Sequence, residues 1–466
     1  MKYPSGERFK LTFLAALFTA LCSISVPSLA GNVILIIGDG MDDHQITIAR
    51  NYLVGSRGKL TLDQLPLRST AQVLTVDDVS SDRPIYVADS ANSATSIASG
   101  VATSIGRVGT SASDDKDLAN IVELAQQQGI KSGIVSTASI TDATPSAFYA
   151  HVNTRDCENP KMMVQAETYY KTIADCSPDL KSNGGLGSIS EQLVDSDIHV
   201  ALGGGMQHFV QVAEGSDQTV LQLAEKADYH VVTRATELNN NGSGRLLGLF
   251  SPGTMPVKWR GEDGRVAEKP IPSLLNRLHW TLGSVTYPEP MDCEDNPEYA
   301  GMPSLALMTE TALSRLTGGD SGADSFFLMI ESASIDKQSH LRKACGSIGE
   351  LQQLDEALDL ALEFAKLHPD TLVLVTADHG QAAQLVPERT LFIDIPVPVY
   401  SPGYLARINT VEGEIMGVNY ATNNFLSEEH TGVNVPLLSN AVGQGLVPAM
   451  VTQPEIFDII KSHLLK

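Results

Sequence analysis

The chain has 466 residues, with 55 Asp and Glu against 32 Lys and Arg, a net charge of −23. That balance repels phosphodiester backbones and anionic bilayers alike, so neither a nucleic-acid-binding surface nor a membrane partner is expected. The length exceeds the ~250 to 300 residues at which one hydrophobic core usually stops growing, which points to a large, elaborated domain.

Residues 1–30 read as an export signal, with Lys2, Arg8 and Lys10, then an apolar run from Leu11 to Val26, then Ser28, Leu29 and Ala30 before Gly31. The run is shorter than the roughly 20 residues a membrane span needs. A cleaved signal peptide and a periplasmic or secreted chain starting near Gly31 are therefore expected. Beyond it, short β-branched runs alternate with helical patterns. Strands are predicted over 32–37, 133–136, 326–330 and 372–376, and helices over 118–128 and 348–367. In the last helix Ile348, Leu351, Leu354, Leu358, Leu362 and Ala365 recur at spacings of three and four, so one apolar stripe should pack on a sheet. The alternation predicts an α/β fold with a mostly parallel central sheet and helices on both faces. Over about 181–324 the pattern loosens, with Gly203, Gly204 and Gly205 and several prolines, and insertions on the core are expected there.

Five cysteines occur, and Cys22 would leave with the signal. Cys157, Cys176, Cys293 and Cys345 are an even set that suits two disulfides in an oxidising compartment. Three connectivities are open; pairing Cys157 with Cys176 and Cys293 with Cys345 closes the shortest loops and is the expected one.

In open α/β sheets, ligands bind beyond the carboxyl ends of the strands. Asp39, Glu331 and the pair Asp378 and His379 each follow a predicted strand. Asp336 and His340, four apart, can share one cation; His430 lies in Glu428-Glu429-His430-Thr431-Gly432, and Asp142 and Thr144 follow the strand at 133–136. Oxygen and imidazole donors without free thiols suit zinc alongside magnesium. Asp39, Asp142, Glu331, Asp336 and Asp378 would crowd five negative charges together, which requires cations in compensation. With Arg155 and Lys337 added, such a site becomes locally positive inside an acidic protein, and so suits an anionic substrate. Ser90, after Asp89 in a run of small residues, can open a helix whose free N–H groups favour an attacking alkoxide and a phosphate oxygen. Taken singly, each signal has a plainer reading: Asp39 as a turn former, Asp89 and Ser90 as an N-cap, Thr144 as a cap before Pro145, and Arg155 and Lys337 as solvated charges.

In order along the chain, Gly38-Asp39-Gly40-Met41, Asp89-Ser90-Ala91, Asp142-Ala143-Thr144-Pro145, Arg155 before Cys157, Ser334-Ile335-Asp336-Lys337-Gln338 to His340, Thr376-Ala377-Asp378-His379 and Glu429-His430-Thr431-Gly432 resemble the alkaline phosphatases. The bacterial periplasmic branch is the nearest resemblance. It implies hydrolysis of phosphate monoesters at alkaline pH through a phosphorylated Ser90, with two Zn²⁺ and one Mg²⁺ per chain. By that resemblance Asp336, His340 and His430 hold one zinc, and Asp39, Asp378 and His379 hold a second with Ser90 beside it. Magnesium sits on Asp39, Thr144 and Glu331, with Asp142 bonding to its waters. Arg155 clamps two phosphate oxygens, Lys337 reaches phosphate through water, the disulfide pairing above agrees, and a homodimer is implied. The chain departs from the pattern at Asp42, Asp43, Asn92 and Ser339, the last standing where bacterial members often carry an acid. Rival readings are a phosphodiesterase or sulfatase of the same superfamily, or a non-catalytic phosphate or zinc scavenger. Ser90-Ala91-Asn92 lacks the Cys/Ser-x-Pro-x-Arg pattern of sulfatases, and a scavenger would not need Ser90.

Overall fold

The computed structural model describes residues 31–167, 173–238, 244–318, 325–391 and 397–466; the expected signal segment lies outside them. Strand β1 (Asn32–Gly38) is buried from Val33 onward, as its run of Val, Ile and Leu requires, because such a strand needs cover on both faces. In chain order the main sheet continues with β2 (Leu67–Gln72), β3 (Lys131–Ser139), β4 (Val200–Gly204), β5 (Tyr229–Val232) and β6 (Arg245–Leu249). It is completed by β7 (Phe326–Ser332), β8 (Thr371–Ala377), β9 (Val435–Ser439) and β10 (Met450–Thr452). Their spatial order is β10-β2-β9-β8-β1-β7-β3-β4-β6-β5. From β8 through to β5 every pairing is parallel, whereas β9 runs antiparallel to both β8 and β2.

Two groups of helices cover the sheet. Helices α1 (Asp43–Leu53), α5 (Leu305–Leu316) and α6 (Ser334–His340) pack with α7 (Ala344–Leu367), which lies on β1, β7 and β8. On the other side α8 (Gln453–Leu464) packs on β1 with α2 (Ser90–Ser99) and α3 (Ile121–Gln126), and α2 in turn holds α4 (Ala143–Ser146). The predicted stripe of α7 is buried at Ile348, Leu351, Leu354 and Leu358. Helix α3 is shorter than the predicted 118–128 because Asn120 caps it, accepting from the N–H groups of Val122 and Glu123, and Gly129 turns the chain at φ +72°. The mostly parallel sheet between helices is thus the predicted architecture.

The region 181–324 enters the core further than its loose pattern suggests, since β4, β5, β6 and α5 all lie within it. Gly203 and Gly204 in β4, His230 in β5 and Gly248 in β6 interrupt the apolar runs by which the other strands stand out. Outside the main sheet, 259–295 forms small two-stranded sheets. No helix among the described residues is long and apolar enough to cross a membrane.

Register aligns the strand ends. Gly38 of β1 stands beside Ser332 of β7 and Ala377 of β8, and Glu331 stands beside Ser136 of β3. Three chain segments therefore leave the sheet at one level, and β3 runs on beside them to Ser139. Gly38 itself admits no side chain, because a Cβ there would lie 2.6 Å from the Cβ of Met41 and 3.0 Å from Cδ1 of Leu354.

Both disulfides take the shortest-loop pairing, Cys157 with Cys176 and Cys293 with Cys345, spanning 19 and 52 residues. The second fastens the short strand Cys293–Asp295 to the first turn of α7. Loop entropy predicts that Cys293→Ser with Cys345→Ser lowers the unfolding free energy by about 4 kcal/mol, and Cys157→Ser with Cys176→Ser by about 3 kcal/mol. Urea titration checks both, and a reversed order would show that loop length does not set the contribution.

Candidate active site

At the end of β1 the chain turns sharply at Gly40, φ +70°, whose N–H donates to Oδ1 of Asp378 at 2.9 Å. A Cβ on Gly40 would lie 3.0 Å from that of Asp336, so this turn needs glycine for both conformation and space. The turn brings Asp39 into contact with the segment after β8. Oδ1 of Asp39 and Oδ2 of Asp378 lie 3.4 and 3.3 Å from Nε2 of His379. Ser90 is the first residue of α2, capped by Asp89, and its Oγ lies 3.2 Å from that same Nε2 and 3.5 Å from Oδ1 of Asp39.

Beside this group stands a second. Nε2 of His340 is 3.2 Å from Oδ2 of Asp336, Nε2 of His430 is 3.4 Å from Oδ1 of Asp336, and the two Nε2 atoms are 3.0 Å apart. The ring of His430 stacks on that of His379 with centroids 3.6 Å apart, joining the groups. Asp336, His379 and His430 also fall within coordination distance of one another, as do Asp39, Asp378 and His379.

The donor set fits divalent cations on two observations. Nδ1 of each of the three histidines faces a backbone carbonyl: Glu428 for His340, Ala88 for His430 and Gly380 for His379. A carbonyl only accepts, so each Nδ1 carries the proton and each Nε2 of a neutral ring presents a lone pair to the site. Two such lone pairs at 3.0 Å cannot bond to each other. Equally, Oδ2 of Asp378 is fully buried without a hydrogen-bond partner among the described residues, a costly arrangement that a cation resolves.

Next to these, Glu331 accepts from Oγ of Ser136 and from Thr144, whose place at the start of α4 follows Asp142. Asp142 is gripped by two cations, Nη2 of Arg155 at 2.8 Å and Nζ of Lys337 at 2.6 Å. Nη1 of Arg155 reaches Oδ2 of Asp89 at 3.3 Å, so the guanidinium spans the residue preceding Ser90 and the one preceding α4. All the predicted site residues thus meet at the carboxyl ends of the strands.

Charge is distributed unequally. Burial, then Asp378, Asp336 and Glu331, push Asp39 well above the usual carboxylate range. Burial also pushes Glu331 up to about 8. Burial opposes ionisation of Asp142 and Asp336 as well, but Lys337 and Arg155 hold the first, and His340 and His430 the second, below the ordinary value. His430, desolvated and beside His379, is pushed down to about 4.

Several supporting residues escaped the sequence reading. Gln381 donates to Oδ1 of Asp336 and Gln453 to the carbonyl of Asp378. Gln381 follows Asp378 at a spacing of three, a signal open to reading; Gln453 arrives from α8 and left none. The departures noted above have structural uses. Asp42 caps α1 and accepts from Gln381 N–H, and Oδ1 of Asn92 accepts from Asp89 N–H at 2.8 Å, closing the turn that presents Ser90. Ser339 is buried, donating to the carbonyl of Ile335 and accepting from Nε2 of Gln45.

Residues 30–435 match the family model described as alkaline phosphatase. The chain is 37% identical to the alkaline phosphatase of Escherichia coli strain K12, covering 93% of this chain and 86% of that one. The chain belongs to the alkaline phosphatase family. It is also 40% identical to the streptomycin-6-phosphate phosphatase of Streptomyces griseus, covering 94% and 92%. Among solved structures, the alkaline phosphatases of Thermus thermophilus and of the Antarctic bacterium TAB5 share the fold, with TM-scores of 0.65 and 0.64 at 20% and 22% identity. The first covers 94% of this chain and 91% of its own, the second 94% and 99%. As a member of this family the enzyme hydrolyses phosphate monoesters.

The uneven charge makes a prediction for alkaline phosphatase stripped of cations. Asp39, Glu331 and His340 keep protons in the folded chain above the pH at which the unfolded chain releases them. Their contribution is present at lower pH and lost as pH rises, whereas His430 acts in the opposite sense only below about 6.5. The melting temperature of stripped protein should therefore fall between pH 6.5 and 8, and that of protein reloaded with zinc and magnesium should not. A flat profile for stripped protein would contradict the crowding of carboxylates.

Proposed function

We propose that the enzyme works through a covalent phosphoserine on Ser90, at alkaline pH, with two Zn²⁺ and one Mg²⁺. The observation that carries this reading is the position of Ser90 Oγ, at a helix N-terminus, 3.2 Å from Nε2 of His379 and flanked by the guanidinium of Arg155 through Asp89. Asp336, His340 and His430 would hold one zinc, Asp39, Asp378 and His379 the other, and Asp39, Thr144 and Glu331 the magnesium, with Asp142 in support. Such cations would supply Lewis acidity toward phosphate oxygens and lower the pKa of a hydroxyl or water beside them.

The chain's own groups do the rest. Ser90 Oγ releases its proton to solvent and attacks phosphorus in line, forming the O–P bond as the bond to the leaving oxygen breaks, and the departing alkoxide takes up a proton from solvent to leave as the alcohol. Backbone N–H groups at the start of α2 and the fork of Arg155 balance charge on the equatorial oxygens, and Lys337 adds a point charge. Water then attacks the phosphoserine, releasing inorganic phosphate and restoring the Ser90 hydroxyl. Because Ser90 and the attacking water must both lose protons, activity should rise toward alkaline pH. Export to an oxidising compartment is supported by the two disulfides. A homodimer is proposed as well, as the resemblance to the family implies.

Chelation should abolish hydrolysis of p-nitrophenyl phosphate, and added Zn²⁺ with Mg²⁺ should restore it; full activity in protein shown metal-free by elemental analysis would overturn the metal assignment. Ser90→Ala should remove phosphoserine trapped at acid pH and transfer of phosphate to an added alcohol such as Tris, while zinc content stays close to wild type. A chiral phosphate monoester should be hydrolysed with net retention, since two in-line attacks each invert. Net inversion would mean direct attack by water, with Ser90 serving only to open the helix.

A further inference from the structure

The side chains of Arg342 and Glu428 lie outside every role assigned above, yet they form a buried ion pair, 9% and 0% exposed, with Nε to Oε1 at 2.6 Å. The arginine does more than neutralise a carboxylate. Its Nη1 and Nη2 donate to the carbonyls of Leu426 and Phe425 at 3.2 and 2.7 Å, and its guanidinium stacks over Tyr404 at 4.0 Å. The second oxygen of Glu428 accepts from N–H and Oγ1 of Thr422 at 3.1 and 2.6 Å. A single side chain thus fastens 422–428 at three points. Backbone conformation also marks the position, because Arg342 sits at φ +61°, a region that costs an L-residue stability and that glycine would occupy freely.

What is fastened is the loop that orients both histidines of the Asp336 group. The backbone of Glu428 faces His340 twice, its N–H donating to the carbonyl of His340 at 3.1 Å and its carbonyl accepting from Nδ1. Oγ of Ser427 stands 3.2 Å from the same Nδ1. Two residues on, His430 enters the site. Its imidazole has the carbonyl of Ala88 for Nδ1, but the backbone that carries it leaves the clamped segment directly.

We propose that Arg342, through Glu428, is a positioning residue for the zinc site of Asp336, His340 and His430. It sets the tautomer and aim of His340 and the placement of His430. The inference rests on the metal-binding reading above, and the test separates the two.

The probe is Zn²⁺, measured by competition with a chelator, together with the visible spectrum of the Co²⁺-substituted enzyme. Wild type should show a class of tight sites that His340→Ala removes; if His340→Ala leaves zinc binding unchanged, the metal reading fails and this inference with it. Arg342→Met keeps the bulk of the stem and loses every donor. It should weaken that class about 10- to 100-fold, the usual effect of removing a partner that orients a ligand, and alter the Co²⁺ bands. In the His340→Ala background Arg342→Met should leave the remaining class unchanged. Arg342→Lys keeps charge opposite Glu428 without the fork to both carbonyls, so it should fall between wild type and Arg342→Met, and it serves if the methionine variant does not fold. Wild-type zinc affinity and Co²⁺ bands in folded Arg342→Met or Arg342→Lys would overturn the proposal.

Discussion

Mutual repulsion among buried carboxylates is the constraint on which the rest of the structure depends. Asp39 and Asp378 leave adjacent parallel strands at one level, Glu331 is the penultimate residue of the next strand, and Asp336 and Asp142 close around them. Nothing in ordinary folding favours such a cluster, since each ionised carboxylate loses solvation and gains a like-charged neighbour. The chain relieves part of the cost locally, by placing Lys337 and Arg155 on Asp142 and imidazoles on Asp336. Among the described residues, Oδ2 of Asp378 is left without a hydrogen-bond partner. A protein that keeps this arrangement keeps it for the charges it recruits.

Rigid surroundings make the arrangement possible. The strands beneath the site are buried on both faces, and α7 and α8 press on β1 from opposite sides, so strand ends have little freedom to splay apart and relieve the repulsion. Gly38 and Gly40 bring the backbone close enough for Asp39 to meet Asp378 and His379. Groups from distant parts of the sequence then act as supports: Gln453 from the last helix holds the carbonyl of Asp378, and Asn92 closes the turn that presents Ser90.

Much of this was legible in the sequence because parallel strands announce themselves as continuous apolar runs, and residues just past their ends must converge. Asp39, Glu331 and Asp378 could be placed that way, and Asp336 with His340 by helical spacing, although β7 continues through Glu331 to Ser332. The disulfides followed from loop length. Strands β4, β5 and β6 left no such run because glycines in β4 and β6 and His230 in β5 interrupt it. Arg342 was invisible for a different reason: its weight comes from a left-handed backbone and from carbonyls some 80 residues away, neither of which has a local signature.

The resting state of Arg155 bears on how the enzyme lets go. Its guanidinium is already satisfied by Asp89 and Asp142, and Lys337 by Asp142. If these groups bind phosphate as proposed, an entering phosphate would exchange one set of anionic acceptors for another and gain only the difference between them. Departure of the product would then reverse the exchange, with the two carboxylates reclaiming their partners. On the proposed reading, the same carboxylates would ease release of inorganic phosphate at the cost of tighter capture.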